Sequence, residues 1–354
     1  MPALRVLFLT SGPNVPSTRF RILPYLPRLR AQGLKCDVFH SAPPKYHEYP
    51  LLGWRLNQKL RKWMRQRDLV LARLRSYDVI VLERELFDDP SWNVEAAFRQ
   101  STSRFLLDVD DAIFLRYPEK FARIAGMADQ VLAGNSLLAE KCAEYCSQVS
   151  VFPTAVDLAE YAFPIPQEAR SSLDVPIIGW IGTPSNLPYL NVALPALKEF
   201  ARRRRFVLRI ITSHAEDLKQ VDFQEVPVEF RCWSAKTAVR EIQQFSIGIM
   251  PLPDEPWERY KCGFKLLQYM AAGVPAIASP VGVNRDIITP GIHGCRAEST
   301  EDWLNQLTFL LDNPVQTLAM VQAARQKVEE QYSIDVLAPK LLAAIASDSE
   351  CKRS

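Results

Sequence analysis

Short apolar runs rich in β-branched residues alternate along this chain with longer stretches whose apolar positions recur three and four apart. The first pattern suits strands buried on both faces, and the second suits amphipathic helices. RVLFLT (residues 5–10), CDVFH, DVIVLE, RFLLDVD, QVLAGN and VSVFPT read as strands of the first half. TRFRILPYLPRLRAQG reads as a helix with internal prolines, closed by Gly33. This alternation predicts a parallel sheet with crossover helices.

The rhythm pauses over 157–175, a polar segment with prolines and weak periodicity, and then restarts. PIIGWIG, FVLRIIT, VEFRCW, SIGIMPL and PAIASP read as strands, and three helices follow Thr300. The expected architecture is α/β, with two doubly wound, Rossmann-like domains facing across a cleft. Residues 1–156 form the first, 157–175 the linker and 176–330 the second, and a helix within 331–354 is able to return to the first. Ligands of such sheets bind outside the carboxyl ends of the strands, so the cleft is the expected site.

Composition narrows this picture. The chain has 354 residues, 48% of them hydrophobic, enough for two cores. Seven scattered cysteines, an odd number in a chain this long, fit a reducing compartment better than a disulfide framework. Cys142 and Cys146 sit four apart, but no partner pair follows at a metal-binding spacing. The four histidines form no cluster that suggests a triad or a zinc site. MPALRVLFLTSG is too short and too quickly polar for a signal peptide, and no apolar run reaches spanning length. A cytoplasmic protein is expected, with a peripheral place on the inner face of the membrane open to it.

Net charge is only +3, which argues against a nucleic-acid partner. One segment departs from that balance. Residues 51–76 carry eight lysines and arginines against one aspartate, a local charge of +7. Leu56, Leu60, Trp63, Val70 and Leu74 fall at helical spacings within it. A basic amphipathic helix over 54–75 can lie on an anionic membrane, and a core helix with a solvated basic face is the plainer reading. The run Arg202–Arg205 ends a helix, where cations offset the dipole.

The richest stretch is KCGFKLLQYMAAGVPAIASPVGVNRD (261–286). A short helix is expected over 264–272, stopped by Gly273 and Pro275. Gly263 lets something approach its first turn, and the positive end of a helix dipole favours an anion there. Lys265 in that first turn opposes the dipole unless an anion intervenes. If the helical register extends back, Lys261, Lys265 and Gln268 share a face suited to a diphosphate and a sugar or ribose hydroxyl. An ordinary crossover helix with solvated lysines is the competing reading.

LLQYMAAGVPAIASPVGVNRDII resembles the signature helix and following loop of GT-B glycosyltransferases of family 4, the retaining, nucleotide-sugar-dependent group. VPSTRFRILPYLPRLRAQG, LLDVDDAIF, VLAGNSLLAEKCAEYCSQVSVFPTAVDL, IIGWIGTPSNLPYL and FSIGIMPLPDEPWERYKCGFKLLQYM resemble further segments of that family, in order along nearly the whole chain. The resemblance implies a GT-B fold with the donor on the C-terminal half and the acceptor on the N-terminal half. It implies no metal and no other cofactor.

Two departures stand out. The family's pair of glutamates falls on Tyr260 and Gln268. Gln268 can still serve ribose hydroxyls as a neutral amide, whereas the donor-sugar role at Tyr260 would pass to Glu258 or to loop backbone. Where relatives carry an arginine and a lysine for the diphosphate, this chain has Thr183 and Tyr189. Gly182, Ser185 and Asn186 then offer hydrogen bonds, with Lys261 and Lys265 supplying charge. Trp233 is placed for the nucleotide base and Asn284 for the sugar, and Phe264 opens the helix.

In the first half, Asp108, Asp110 and Asp111 end a strand. Asp110 falls where many relatives have a histidine facing the donor sugar. Asp110 and Asp111 are candidates to bind sugar or acceptor hydroxyls, with helix capping as the alternative. Ser11, Gly12, Ser17 and Arg19 follow the first strand and can approach phosphate or acceptor, although Ser17 or Thr18 equally suits an N-cap. Arg84 or Glu85 can line the acceptor side. The expected activity is retaining transfer of a hexose-type sugar from a UDP- or GDP-type donor to a glycan or lipid-linked hydroxyl, in polysaccharide or cell-envelope synthesis. An inactive nucleotide-sugar-binding or scaffold protein and a sugar-nucleotide epimerase are the rivals.

Overall fold

The structure is a computed structural model that describes residues 4–45, 48–161 and 175–347. The expected linker over 157–175 falls mostly on 162–174, outside the described residues. The chain divides into two compact units. The first comprises residues 1–155, 260–262 and 334–354, and the second 156–259 and 263–333.

The first unit opens with β1 (Arg5–Thr10), α1 (Pro16–Arg21), α2 (Leu26–Ala31) and β2 (Lys35–His40). The single helix expected before Gly33 is broken. A 3-10 turn over Leu23–Tyr25 separates α1 from α2, because Pro24 and Pro27 cannot donate to the preceding turn. Then come α3 (Gly53–Arg75), β3 (Tyr77–Glu83), α4 (Asn93–Arg99), β4 (Thr102–Val109), α5 (Pro118–Met127), β5 (Gln130–Ala133), α6 (Ser136–Ala143) and β6 (Val149–Val151). The strands form one parallel sheet in the order β2-β1-β3-β4-β5-β6.

The second unit contains β7 (Ile177–Ile181), α7 (Leu194–Arg203), β8 (Val207–Thr212), β9 (Val228–Cys232), α8 (Ala238–Gln243) and β10 (Ile247–Met250). It continues with α9 (Phe264–Ala271), β11 (Ala276–Ala278), α10 (Asn284–Ile287), β12 (Cys295–Arg296), α11 (Thr300–Asp312) and α12 (Pro314–Gln331). Its parallel sheet runs β12-β11-β10-β7-β8-β9. The last helix, α13 (Ile334–Ala346), packs in the core of the first unit with Tyr25, Leu29 and Phe152.

Both sheets are doubly wound, as the strand pattern predicts. Their strand order reverses between β1 and β3 in one and between β7 and β10 in the other. Such reversal points splay the loops apart and mark the crevices where ligands bind. The loops after β1, β3, β7 and β10 flank these two reversal points.

Helix α3 departs from the usual arrangement. Its buried positions are Asn57, Arg61, Arg65, Asp68, Leu69 and Ala72, while Leu56, Trp63, Val70 and Leu74 are exposed. The plainer expectation, an apolar face in the core and a solvated basic face, holds only in part: the apolar row points outward and Arg61 and Arg65 are buried, while the other cations of the helix stay exposed. Arg61 donates to the carbonyls of Pro43 and Pro44 at 3.2 and 3.0 Å. Arg65 donates to Phe39 O at 2.9 Å, to Thr10 O, and to Asp68 at 3.2 Å. Those carbonyls lie at or beyond the ends of β1 and β2, so guanidinium donors anchor this helix to the sheet.

Candidate active site

In the second unit the candidate residues gather around the start of α9. Gly263 precedes that helix with φ of 66°. A Cβ there would lie 2.3 Å from Ile287 Cδ1 and 3.3 Å from Asn284 Oδ1, so glycine is required both for the turn and for the approach of the next loop. Gly273 closes the helix at φ 65°, with Val274 N donating back to Tyr269 O at 2.8 Å.

The same turn removes an expected alignment. Gly263 in the left-handed region breaks the helical register, so Lys261 does not share a face with Lys265 and Gln268. Lys261 belongs to the short segment that clusters with the first unit. Phe264, half-buried, takes the first helical position.

Lys265 projects from the first turn of α9 with Nζ 5.5 Å from the centroid of the Trp180 ring. The electron-rich face of an indole stabilises a cation, which offsets the unfavourable dipole end. Gly182, directly after β7, makes the crossing possible. A Cβ on it would sit 2.6 Å from the Trp180 ring and 2.9 Å from Lys265 Cε. Next to it, Thr183, Ser185 and Asn186 form a self-bonded turn. Thr183 Oγ1 lies 3.2 Å from Ser185 Oγ and accepts from Asn186 Nδ2 at 3.1 Å. Thr183 and Ser185 remain exposed.

Gln268 is buried, and its Nε2 donates to Tyr161 Oη at 3.3 Å. Asn284 is buried too. Its Nδ2 donates to Ser279 O at 3.0 Å, while Oδ1 has no hydrogen-bond partner among the described residues. Tyr189, at the place of a family cation, donates to Glu258, the residue offered in place of the family glutamate. Trp233 is half-buried beyond β9, with its amide on Thr212 O at 2.8 Å.

In the first unit, Glu83 ends β3 at the reversal point between β1 and β3. This buried carboxylate accepts from the hydroxyls of Ser17 and Thr18 and from Ser11 N at 3.3 Å. Burial pushes its carboxyl up, against the pull of the two hydroxyls. Ser11 and Ser17 are thus interior scaffold and do not reach out toward phosphate or acceptor. Gly12, at φ 141°, is there because a Cβ would lie 2.7 Å from Pro44 Cβ. Arg19 lies over the Phe20 ring at 5.2 Å.

The carboxylates at the end of β4 are apportioned between two arginines. Asp108 is buried under Arg21, which donates to it at 2.8 and 2.6 Å and also reaches Thr154 Oγ1 and Phe152 O. Asp110 accepts from Arg84 Nε, and Arg84 Nη2 lies 3.8 Å from Asp111. For Asp110, burial works to raise the carboxyl, but the Arg84 charge wins and holds it below its ordinary value. Asp111 is pushed up by burial, with Arg84 and Lys261 opposing. Neither caps a helix: Asp111 Oδ1 accepts from Ala112 N, the residue next to it, at 3.1 Å.

Residues 260–262 complete this end of the first unit. Asn135, which caps α6, donates to Tyr260 O at 2.8 Å, and the Tyr260 ring packs edge-on against Phe114 at 4.8 Å. Cys262 Sγ lies 3.2 Å from Asp110 O, in a space left by Gly134, whose Cβ would be 2.3 Å from that sulfur. Glu83, Trp180, Tyr161 and Asn135 escaped the sequence reading. Each ends or flanks a strand or helix, but none stands in a pattern that marks it out.

Comparison with known proteins fits this geometry. Residues 175–313 match the family model described as glycosyl transferases group 1. No curated protein matches the chain. Among solved structures, sucrose-phosphate synthase from Thermosynechococcus elongatus is similar with a TM-score of 0.74 at 15% identity, covering 97% of this chain and 98% of the other. A glycosyltransferase from Rickettsia africae is similar at 0.72 and 14% identity, covering 99% and 100%. Anabaena HepE in complex with UDP and glucose is similar at 0.68 and 12% identity, covering 97% and 100%. The chain therefore has the two-sheet GT-B fold, and its residues 175–313 are similar to the group 1 glycosyltransferase domain.

Proposed function

We propose that the protein is a retaining glycosyltransferase that moves a hexose-type sugar from a nucleoside diphosphate donor to a glycan or lipid-linked hydroxyl, in the synthesis of a polysaccharide or of cell-envelope material. The observation that carries the reading is the start of α9 within the matched domain. Gly263, the helix dipole and Lys265 converge there with Gly182 at the β7–β10 crevice. A diphosphate placed there would take the Lys265 ammonium from the Trp180 face as a charge-assisted partner. The charge that develops on the leaving diphosphate is then met by groups already in position.

Gln268 would serve the ribose, with Tyr161 fixing its amide, and Asn284 Oδ1 is an acceptor for a sugar hydroxyl. A UDP-type donor is favoured by the UDP-bound structure of HepE. No metal or other cofactor is assigned: Asp108, Asp110 and Asp111 are committed to arginines. The Asp110–Arg84–Asp111 group is the acceptor-side candidate. In the retaining mechanism implied by the family, the leaving phosphate helps to deprotonate the acceptor, so no dedicated base is assigned.

The test is calorimetric titration with UDP, GDP and their sugar conjugates, followed by turnover with candidate acceptors. Lys265→Ala is expected to weaken diphosphate binding by about ten- to a hundredfold, the loss of one charged hydrogen bond, and to leave uridine binding nearly unchanged. Equal loss of both removes the phosphate role. Nucleotide-sugar binding without transfer or hydrolysis would favour a binding protein, and conversion of the sugar without acceptor an epimerase.

A further inference from the structure

The outward row on α3 is not used by the proposed donor site and needs its own explanation. Leu56, Trp63, Val70 and Leu74 are spaced seven, seven and four apart, which puts them on one line of the helix. They are 54%, 63%, 54% and 76% exposed. The opposite line is the one that faces the sheet, through Asn57, Arg61, Arg65 and Ala72.

Charge identifies what can cover that row. Arg55, Lys59, Lys62, Arg67, Arg73 and Arg75 are all exposed on the same helix. The helix's one acid, Asp68, is buried against Arg65 and lies 3.8 Å from Arg67. Lys62 pairs with Asp89 and Arg75 with Asp37, both acids outside the helix. An apolar row edged by cations and free of exposed acid is complementary to acyl chains beneath an anionic headgroup layer. A tryptophan in the middle of the row suits that boundary, where one edge is apolar and the other wet. No helix among the described residues is long and apolar enough to cross a membrane, so the contact is along the surface.

We propose that α3 docks the protein on an anionic lipid surface, lying parallel to it, with Leu56, Trp63, Val70 and Leu74 entering the acyl boundary and Arg55, Lys59, Arg67 and Arg73 on the headgroups. Arg61 and Arg65 take no part, because they are spent on carbonyls of the sheet. The proposal stands independently of the glycosyltransferase reading.

The experiment is co-sedimentation of the full chain with phosphatidylcholine vesicles, with and without phosphatidylglycerol. UDP affinity is measured on the same preparations, so that failure of docking and failure of the donor site are told apart. Wild type is expected to bind only the anionic vesicles. Arg55→Gln/Lys59→Gln/Arg73→Gln is expected to lose about fivefold per charge removed. Trp63→Gln/Leu74→Gln is expected to lose binding at least tenfold while keeping the wild-type unfolding midpoint, since both side chains are exposed. Brominated phosphatidylglycerol should quench tryptophan emission less in Trp63→Phe than in wild type. Equal binding to neutral vesicles, no binding to either, or a wild-type dimer that Trp63→Gln/Leu74→Gln abolishes would each overturn the proposal, the last by making a second copy the occupant.

Discussion

Substituting Gly263 by alanine tests whether the turn before α9 is built as described. Two costs are separable. The left-handed backbone at φ 66° costs an L-residue about 1–2 kcal/mol. The added Cβ also lands 2.3 Å from Ile287 Cδ1 and 3.2 Å from Val283 Cγ1, and Ile287 is fully buried, so it cannot swing into solvent. Overpacking of this kind costs about 1–3 kcal/mol, for a total of about 2–5. Gly291 provides the control. Its φ is 77°, but nothing lies within 4 Å of its Cβ position, so Gly291→Ala carries only the backbone cost of about 1–2 kcal/mol. Ile287→Val removes the colliding atom. Alone it should cost about 0.5–1.5 kcal/mol, and in the Gly263→Ala background it should cost nothing or restore stability. The assay is urea unfolding of the four variants and wild type, with UDP affinity measured alongside. If Gly263→Ala is no worse than Gly291→Ala, or if Ile287→Val costs the same in both backgrounds, the close approach to Gly263 is wrong.

Two further predictions concern the polar residues. Because Arg84 holds Asp110 below its ordinary value of 3.8, the native state binds fewer protons than the unfolded chain, and this stabilisation is present above 3.8 and lost as pH falls through the native value. Arg84→Met leaves burial to raise Asp110, so the contribution reverses sign and stability falls as pH rises from 3.8. Urea midpoints across the acid range should separate the two proteins, and parallel curves would refute the pairing. Gln268→Glu should keep UDP affinity, since the Tyr161 hydroxyl can donate to a carboxylate. Gln268→Leu should cost about fivefold for UDP, the worth of one hydrogen bond, and nothing for 2′-deoxy-UDP. Equal loss for both nucleotides would remove the ribose role.

The strands were legible because parallel strands buried on both faces leave unbroken apolar runs, as in RVLFLT and DVIVLE. Helix α9 was legible through Gly273 and Pro275. Other features depend on partners distant in the chain. Glu83 is held by Ser17 and Thr18, 66 and 65 residues away, and nothing local marks a strand-terminal glutamate as interior. Periodicity revealed the apolar row of α3, but it could not say which side faces the sheet. That is decided by Arg61 and Arg65 reaching carbonyls 18 and 26 residues away. A glycine at 263 was compatible with a continuous helix or with a left-handed turn, and only the packing of Ile287 selects between them.

Glu83 has a consequence for stoichiometry. Two doubly wound sheets bring two strand-order reversal points per chain. In the first, a buried carboxylate stapled by two hydroxyls and an amide stands at the reversal point. On the proposed reading, with the start of α9 as the donor site, saturating UDP should therefore fill one equivalent per chain, and a second equivalent would refute it.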